Sequence, residues 1–341
     1  MTDDNRWQAA VEAVFAAATA CRNVGHKLVN GVMEKGDRSP VTVADFASQA
    51  VIAAILEKHV PDELLVAEED SAELRAAEAE PILAQVVDAV AEALHRPVER
   101  EQVLAWIDRG GAEHPGEGLF WTLDPIDGTK GFLRGDQYAV ALAQLDGGRV
   151  QLGVLGCPNM KTVGPDGPDG LLLAAQRGGG TLALPLNASL KPGQGRPVRV
   201  DAVTDAASAR FCEPFESAHS DQGASAKIAA LLGITAEPLR MDSQAKYAAV
   251  ARGDASIYMR LPRGGSSYTE NIWDHAAGML CVQEAGGRVT DLDGRDLDFT
   301  RGTKLVRNRG VIATSGRIHE QVLEAASGIV PRPDAASAGP G

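Results

Sequence analysis

The chain has 341 residues, which is long for one compact domain and predicts either two domains or one large layered domain. Its net charge of -13 argues against a protein that binds nucleic acid polymers through a basic face. Only 4% of its residues are aromatic, which argues against a platform for stacking single-stranded bases. A small phosphorylated substrate is compatible with the negative net charge if metal ions and local cations overcome the negative field.

The first part of the chain alternates helical patterns with short apolar strands. In chain order, the predicted elements are a helix over 7–29, a polar break at 34–40, a helix over 45–58, a strand over 64–67, a charged helical stretch over 72–108, a loop over 110–118 and a strand over 120–123. Asp45 falls in the first turn of the second helix, where an acid is by default a capping residue. Glu68 and Asp124 each follow a strand directly.

The rest of the chain continues as a mixed α/β pattern. The predicted elements are a hairpin over 137–156, further strands to about 200, helices over 226–232 and 244–251 around a strand over 255–261, a helix over 275–284 and a final strand pair. We therefore expect an N-terminal half over 1–200 and a C-terminal half over 201–328. The tail, 329–341, is rich in Pro, Ala, Ser and Gly and is predicted to be disordered.

Cysteine usage and hydropathy indicate the compartment. The four cysteines lie far apart without a C-x-x-C pair, which favours a reduced cytosolic protein over a zinc or disulfide framework. No apolar run is long enough to span a bilayer, and no cleavable leader is visible. We expect a cytoplasmic protein with no membrane partner.

The most informative segment runs from Trp121 to Lys130. It ends an apolar run in two carboxylates three residues apart, Asp124 and Asp127, followed by a glycine and a hydroxyl. Such oxygen ligands suit Mg²⁺. Further acids, Glu68 and Asp274, also lie at predicted strand or helix ends, and such ends collect at one edge of an α/β sheet. If the four carboxylates converge, two or more Mg²⁺ ions would offset their repulsion and create a phosphoryl-transfer site.

These motifs resemble the Mg²⁺-dependent inositol monophosphatase superfamily. The resemblance rests on DPIDGT at 124–129, Glu68-Glu69 and WDHAAG at 273–278. The longer runs DPIDGTKGFLRG at 124–135, LGCPN at 155–159, MDSQAKY at 241–247 and IYMRLP at 257–262 are similar to the 3'(2'),5'-bisphosphate nucleotidase branch. Members of that branch convert 3'-phosphoadenosine 5'-phosphate to AMP. The likeness covers roughly residues 8 to 320.

The resemblance implies a layered αβαβα sugar-phosphatase fold with two or three Mg²⁺ ions between its halves. The implied metal ligands are Glu68, Asp124, the backbone carbonyl of Ile126, Asp127 and Asp274. Asp45 would pair with the hydroxyl of Thr129 to orient and deprotonate the attacking water.

The resemblance also implies the substrate contacts. Gly128 and Thr129 would bind the substrate, and backbone N–H groups that follow Gly128 at a predicted helix start would hold the oxygens of the scissile phosphate. The implied nucleotide-binding residues are His219, Ser243, Lys246, Arg260 and Asp274. Taken alone, His219 is more often a surface residue and Lys246 could be solvated, but a lysine and an arginine are well suited to the second phosphate.

The resemblance therefore predicts a lithium-sensitive enzyme that acts on this small-molecule substrate. We expect the protein to be a cytoplasmic monomer. Two alternatives stay open at this point. One is a phosphatase of the same superfamily that acts on inositol phosphates or other sugar phosphates. The other is a non-catalytic regulator that binds nucleotides, against which the intact set of acidic residues argues.

Overall fold

The computed structural model describes residues 3–29, 39–162, 169–186, 195–215, 221–262 and 268–330. In this part of the chain the helices are α1 (Asp3–Val29), α2 (Ser39–His59), α3 (Glu80–Leu94), α4 (Arg100–Asp108), α5 (Thr129–Arg134), α6 (Gln222–Leu231), α7 (Ala245–Ala251), α8 (Ala276–Glu284) and α9 (His319–Ile329). The strands are β1 (Leu64–Ala67), β2 (Phe120–Asp127), β3 (Ala139–Asp146), β4 (Arg149–Lys161), β5 (Asp169–Gln176), β6 (Gly180–Pro185), β7 (Arg196–Pro197), β8 (Phe211–Glu213), β9 (Leu239–Arg240), β10 (Ile257–Arg260), β11 (Arg288–Thr290) and β12 (Val311–Thr314).

The described strands form two sheets. The larger sheet has seven strands in the order β1–β2–β3–β4–β5–β6–β7. Its first pair is parallel and the others are antiparallel, so strands that follow one another in the sequence lie side by side in the sheet. The smaller sheet has five strands in the order β11–β12–β10–β8–β9.

The helices form three layers around these sheets. Helices α1 and α2 pack on one face of the larger sheet, and alanines at helical spacing let them approach each other closely. Helices α7 and α8 lie between the two sheets and contact both. Helices α6 and α9 pack together, and α9 covers the outer face of the smaller sheet. This arrangement confirms the predicted αβαβα layers.

The second helix begins earlier than predicted. It starts at Ser39 rather than Asp45, because Pro40 lies in its first turn, where the missing N–H has no helical acceptor to reach. The sequence Ser39-Pro40 therefore begins a helix, and reading it as part of a turn was wrong. Asp45 lies in the second turn, so it is not a capping residue.

Other boundaries also differ from the prediction. The stretch 72–108 is two short 3₁₀ turns followed by α3 and α4, which are separated at His95, a residue with φ of +53° that closes α3. Strand β2 extends through Asp127, and its register with β3 shifts between Asp124 and Asp127, so the acids lie in an irregular strand end. Helix α9 was not predicted. It continues to Ile329, past the expected boundary at 328, so the predicted disorder of the tail is wrong at its first residue; positions 331–341 of that tail lie outside the described residues.

Candidate active site

A cleft of about 250 Å³ lies where the ends of β1 and β2 meet α5, α7, β10 and the start of α8. The structure brings most of the predicted site residues into its wall. These are Asp45, Glu68, Asp124, Ile126, Asp127, Gly128, Thr129, Ser243, Lys246, Arg260 and Asp274. His219, the remaining predicted contact, lies outside the described residues.

Helix α2 fixes the acidic wall of the cleft from behind. The hydroxyl of Ser48 donates to the carbonyl oxygen of Pro125 at 2.8 Å, which ties α2 to the acidic end of β2. The Gln49 amide donates to the carbonyl of Glu69 at 2.6 Å and accepts from the Glu69 backbone N–H at 3.1 Å. These bonds hold the segment that carries Glu68.

Asp124 is the most deeply enclosed carboxylate of the cleft. It is 2% exposed, and its Oδ1 atom is buried without a hydrogen-bond partner. Burial is the largest cause that raises the pKa of Asp124 well above its ordinary value, and the charges of Glu68, Asp127 and Asp274 add to it. A buried carboxylate oxygen with nothing to accept from is costly unless a cation binds it.

The neighbouring carboxylates show the same electrostatic stress. Burial, followed by the charge of Asp274, raises the pKa of Glu68 to about 7. Burial, followed by the charge of Asp127, raises the pKa of Asp274 to about 6. These carboxylates therefore destabilise one another as anions, and a divalent cation among them would remove that cost.

Asp45 and Thr129 face the same cleft from different elements. Asp45 is 6% exposed, and its pKa is raised well above the ordinary value by burial and then by the charges of Glu69 and Glu68. Thr129 begins α5 directly after Gly128. No hydrogen bond joins Asp45 to Thr129 among the residues that the structure describes, so their predicted pairing stays a prediction.

Gly128 and Ser243 lie close together across the cleft. Gly128 has a φ of +91°, and a Cβ atom placed on it would lie 2.8 Å from the Cβ of Ser243. Ser243 itself has a φ of +67°, which is unusual for a residue with a side chain. That backbone turn lets the next N–H, of Gln244, donate to Oδ2 of Asp127 at 2.6 Å.

The two predicted phosphate-binding cations are held inside the cleft wall. Lys246 is 4% exposed, so the interpretation as a solvated lysine is wrong. Its Nζ atom donates to the carbonyl of Ser243 at 2.7 Å, and burial lowers its pKa. Arg260 donates from Nε to Glu270 at 3.0 Å. Burial acts to raise the pKa of Glu270, but His275 and Arg260 outweigh it and lower the pKa to about 2.

Glu270, Asp274 and His275 form a second group whose ligand atoms lie within 4.8 Å of one another, a spacing that could also hold a metal. Two of the three already have partners. Glu270 pairs with Arg260, and Nδ1 of His275 shares a hydrogen bond of 2.7 Å with the Tyr247 hydroxyl. In the group around Asp124, by contrast, Oδ1 of Asp124 is buried without a hydrogen-bond partner, so that group is the better candidate.

Sequence reasoning missed several residues of the cleft wall, namely Lys130, Asp242, Tyr258, Tyr268, Glu270 and Asn271. Lys130 and Asp242 belong to the motifs at 124–135 and 241–247, so position inside a motif was an available signal. Tyr268, Glu270 and Asn271 lie in a segment without a motif. All four cysteines are buried and unpaired, and no described helix is long and apolar enough to cross a membrane.

Comparison with known proteins identifies the family of the chain. The sequence model of the inositol monophosphatase family matches residues 3–330. A 3'(2'),5'-bisphosphate nucleotidase of Oryza sativa is 44% identical, over 93% of this chain and 92% of the relative. One of Schizosaccharomyces pombe is 40% identical, over 96% and 97%. The motif-based resemblance to this branch is therefore confirmed.

Solved structures show the same fold. An inositol monophosphatase from Anabaena (Nostoc) sp. PCC 7120 superposes with a TM-score of 0.62 at 21% identity, covering 98% of both chains. The extragenic suppressor protein suhB from Bartonella henselae gives 0.60 at 20% identity, covering 96% of this chain and 99% of that one. At such identities the likeness concerns the fold alone.

Proposed function

Because the chain belongs to the inositol monophosphatase family, we propose that it is a Mg²⁺-dependent phosphatase that removes the 3'-phosphate of 3'-phosphoadenosine 5'-phosphate, giving AMP and phosphate. The names of the relatives at 40–44% identity support this substrate. The observation that carries the proposal is one cleft in which a buried carboxylate cluster faces two enclosed cations, Lys246 and Arg260. A substrate with two phosphates could place one of them at the carboxylates that would bind metal and the other at the two cations.

The metal ligands would be the carboxylates of Glu68, Asp124, Asp127 and Asp274, together with the carbonyl oxygen of Ile126. The orphaned Oδ1 of Asp124 and the raised pKa values of this cluster support that assignment. Bound Mg²⁺ would lower the pKa of a water molecule and stabilise charge on the leaving 3'-oxygen. Hard oxygen donors in this number suit Mg²⁺.

Asp45 and Thr129 would orient the attacking water and receive its proton. A general base works best when its pKa lies near the working pH, and burial with neighbouring acids raises the pKa of Asp45 in that direction. The Thr129 hydroxyl can accept from the water while donating to Asp45. Gly128 would keep the backbone before Thr129 in place beside Ser243, because a Cβ atom on it would lie 2.8 Å from the Cβ of Ser243.

Lys246, Arg260 and Ser243 would bind the 5'-phosphate. Lys246 spends one donor on the Ser243 carbonyl, and an ammonium group has two more. Arg260 uses Nε for Glu270, which leaves its terminal amino groups to reach a phosphate. His219 would join this group as a nucleotide contact.

The test is release of phosphate from three substrates by the purified protein, with Mg²⁺ and with a chelator. We expect rapid release from 3'-phosphoadenosine 5'-phosphate with AMP as the product, and no turnover in the chelator. Adenosine 3'-monophosphate and inositol 1-phosphate should be poorer substrates, since neither places a second phosphate on Lys246 and Arg260. Preferred turnover of inositol 1-phosphate would reject the nucleotide assignment.

A further inference from the structure

We propose that Lys304 is a further substrate-binding residue, placed at the mouth of the cleft to attract the phosphate that is not hydrolysed. The inference rests on the proposed function and adds to it a cation that lies outside every motif of the chain. It makes Lys304 a determinant of specificity for substrates with a second anionic group.

Backbone hydrogen bonds fix the Lys304 segment against the wall of the cleft. Lys304 forms an isolated antiparallel bridge with Asn271, which lines the cleft. On either side of that bridge, the Ile272 N–H donates to the carbonyl of Thr303 at 2.9 Å, and the Leu305 N–H donates to the carbonyl of Glu270 at 2.9 Å. The position of Lys304 relative to the cleft is therefore set by the backbone and does not depend on a mobile side chain alone.

The Lys304 side chain is directed to the cleft mouth by two contacts. Its Nζ atom donates to Oδ1 of Asn271 at 2.7 Å and lies 5.8 Å from the ring centre of Tyr268. The guanidinium carbon of Arg260 lies 5.9 Å from the same ring. Tyr268 lines the cleft and is 56% exposed. One aromatic ring thus brings an inner cation, Arg260, and an outer cation, Lys304, close to each other.

The partners of Lys304 leave its charge uncompensated. An amide oxygen and an aromatic ring are neutral, and Lys304 forms no salt bridge with any residue that the structure describes. Arg260, by contrast, is paired with Glu270, and Lys246 lies close enough to Asp127 for their charges to interact. Of these three cations, Lys304 is the exposed one without an anionic partner.

The negative charge of the whole molecule explains why a cation at the cleft mouth would favour substrate binding. The chain carries a net charge of -13, and the cleft wall is rich in carboxylates, so both repel an approaching bisphosphate. An exposed lysine at the rim raises the local concentration of the anion, and the inner pair then binds the phosphate that arrives. Rim charges of this kind act mainly on association and on its salt dependence.

The experiment compares Lys304→Gln and Lys304→Arg with wild type in the presence of Mg²⁺, at low and at high ionic strength. Lys227→Gln, an equal change of charge on the exposed face of α6, is the matched control. The substrates are 3'-phosphoadenosine 5'-phosphate and adenosine 3'-monophosphate, which lacks the second phosphate.

We expect Lys304→Gln to lower kcat/KM for the bisphosphate about five- to tenfold at low salt, mainly through KM, with a smaller loss at high salt. The loss on the monophosphate should be much smaller, Lys304→Arg should retain most activity, and Lys227→Gln should resemble wild type. Equal losses on both substrates, or none on either, would overturn the inference.

The outcomes separate this inference from the proposed function. If wild type prefers the bisphosphate and Lys304→Gln behaves like wild type, the inference fails while the function stands. If wild type does not prefer the bisphosphate over the monophosphate, the proposed function itself fails. Tyr268→Leu, which removes the ring beside both cations, should reproduce the loss on the bisphosphate.

Discussion

Arg134 on α5 donates a hydrogen bond to Asp242, and this ion pair joins the two sides of the cleft. Asp242 is 5% exposed, and its other oxygen accepts from the backbone N–H of Phe215 at 3.2 Å. Arg134 also donates to Asp136 at 2.7 Å. The helix that begins at Thr129 is thereby fixed to the segment that carries Ser243.

We expect Arg134→Gln to lower kcat/KM for the bisphosphate about tenfold, because small displacements of aligned groups are costly in catalysis. The loss of unfolding free energy should be only about 1 kcal/mol, since the arginine is partly exposed and solvent screens the pair. Steady-state kinetics and thermal denaturation measure the two effects. Asp136→Asn, which removes the partner of Arg134 that does not line the cleft, should have the smaller kinetic effect. A larger effect of Asp136→Asn would contradict the assignment of Asp242 as the positioning partner.

Replacing Asp124 by Asn should lower turnover by a factor on the order of 10³ or more, because it removes a carboxylate at the centre of the proposed metal site. The metal-free variant should melt at or above the temperature of metal-free wild type, since one buried charge is gone. Melting curves with and without Mg²⁺ check this, and the increase that Mg²⁺ produces in wild type should vanish. Asp88→Asn, on the exposed side of α3, is the control. Unchanged turnover in Asp124→Asn would reject the metal assignment.

The stability of the metal-free protein should fall as the pH rises. The pKa of Glu68 is raised from 4.5 to about 7 and that of Asp274 from 3.8 to about 6, so between about pH 4 and 7 the folded state holds more protons than the unfolded state. With a chelator present, the contribution of these groups favours a higher melting temperature at about pH 5 than at about pH 8.

With Mg²⁺ the trend should reverse, because the ligands must be deprotonated to bind the metal. Glu68→Gln imitates the protonated acid and should flatten the pH dependence in chelator, which separates Glu68 from other titrating groups. A pH dependence in chelator that is identical in wild type and Glu68→Gln would contradict this prediction.

Lys246→Met should raise KM for the bisphosphate about tenfold or more, with a much smaller effect on adenosine 3'-monophosphate, because a charge-assisted bond to the second phosphate is lost. The fold should tolerate the change, since burial already lowers the pKa of Lys246 and methionine removes the cost of burying the charge. Kinetics on both substrates measure the difference, with Lys227→Met as the control. Parallel losses on both substrates would place Lys246 elsewhere in the mechanism.

The family and the layered fold could be predicted because short sequence motifs are enough to identify the family. Asp124, Asp127 and Thr129 lie within one uninterrupted run, and Lys246 lies within another. Motif position also predicted the convergence of Glu68 and Asp274 on one cleft, although 205 residues lie between them in the sequence.

Features that depend on tertiary packing could not be predicted in this way. Lys304 lies near the cleft because its backbone pairs with Asn271. No local sequence pattern predicts that pairing. The early start of α2 at Ser39 was missed because Ser-Pro is compatible with both a turn and a first helical turn. The burial of Lys246 involves packing against Tyr258, which lies twelve residues further along the chain beyond a turn.

The layer of α7 and α8 has a consequence for how the molecule unfolds. These helices cover the larger sheet on one side and the smaller sheet on the other, and Gly278 of α8 leaves room for the ring of Tyr247 on α7 between them. A fragment ending at residue 200 would therefore expose the apolar face of β3, β4 and β5 to water. We expect such a fragment to aggregate. We expect the whole chain to melt in a single cooperative transition in which both halves unfold together.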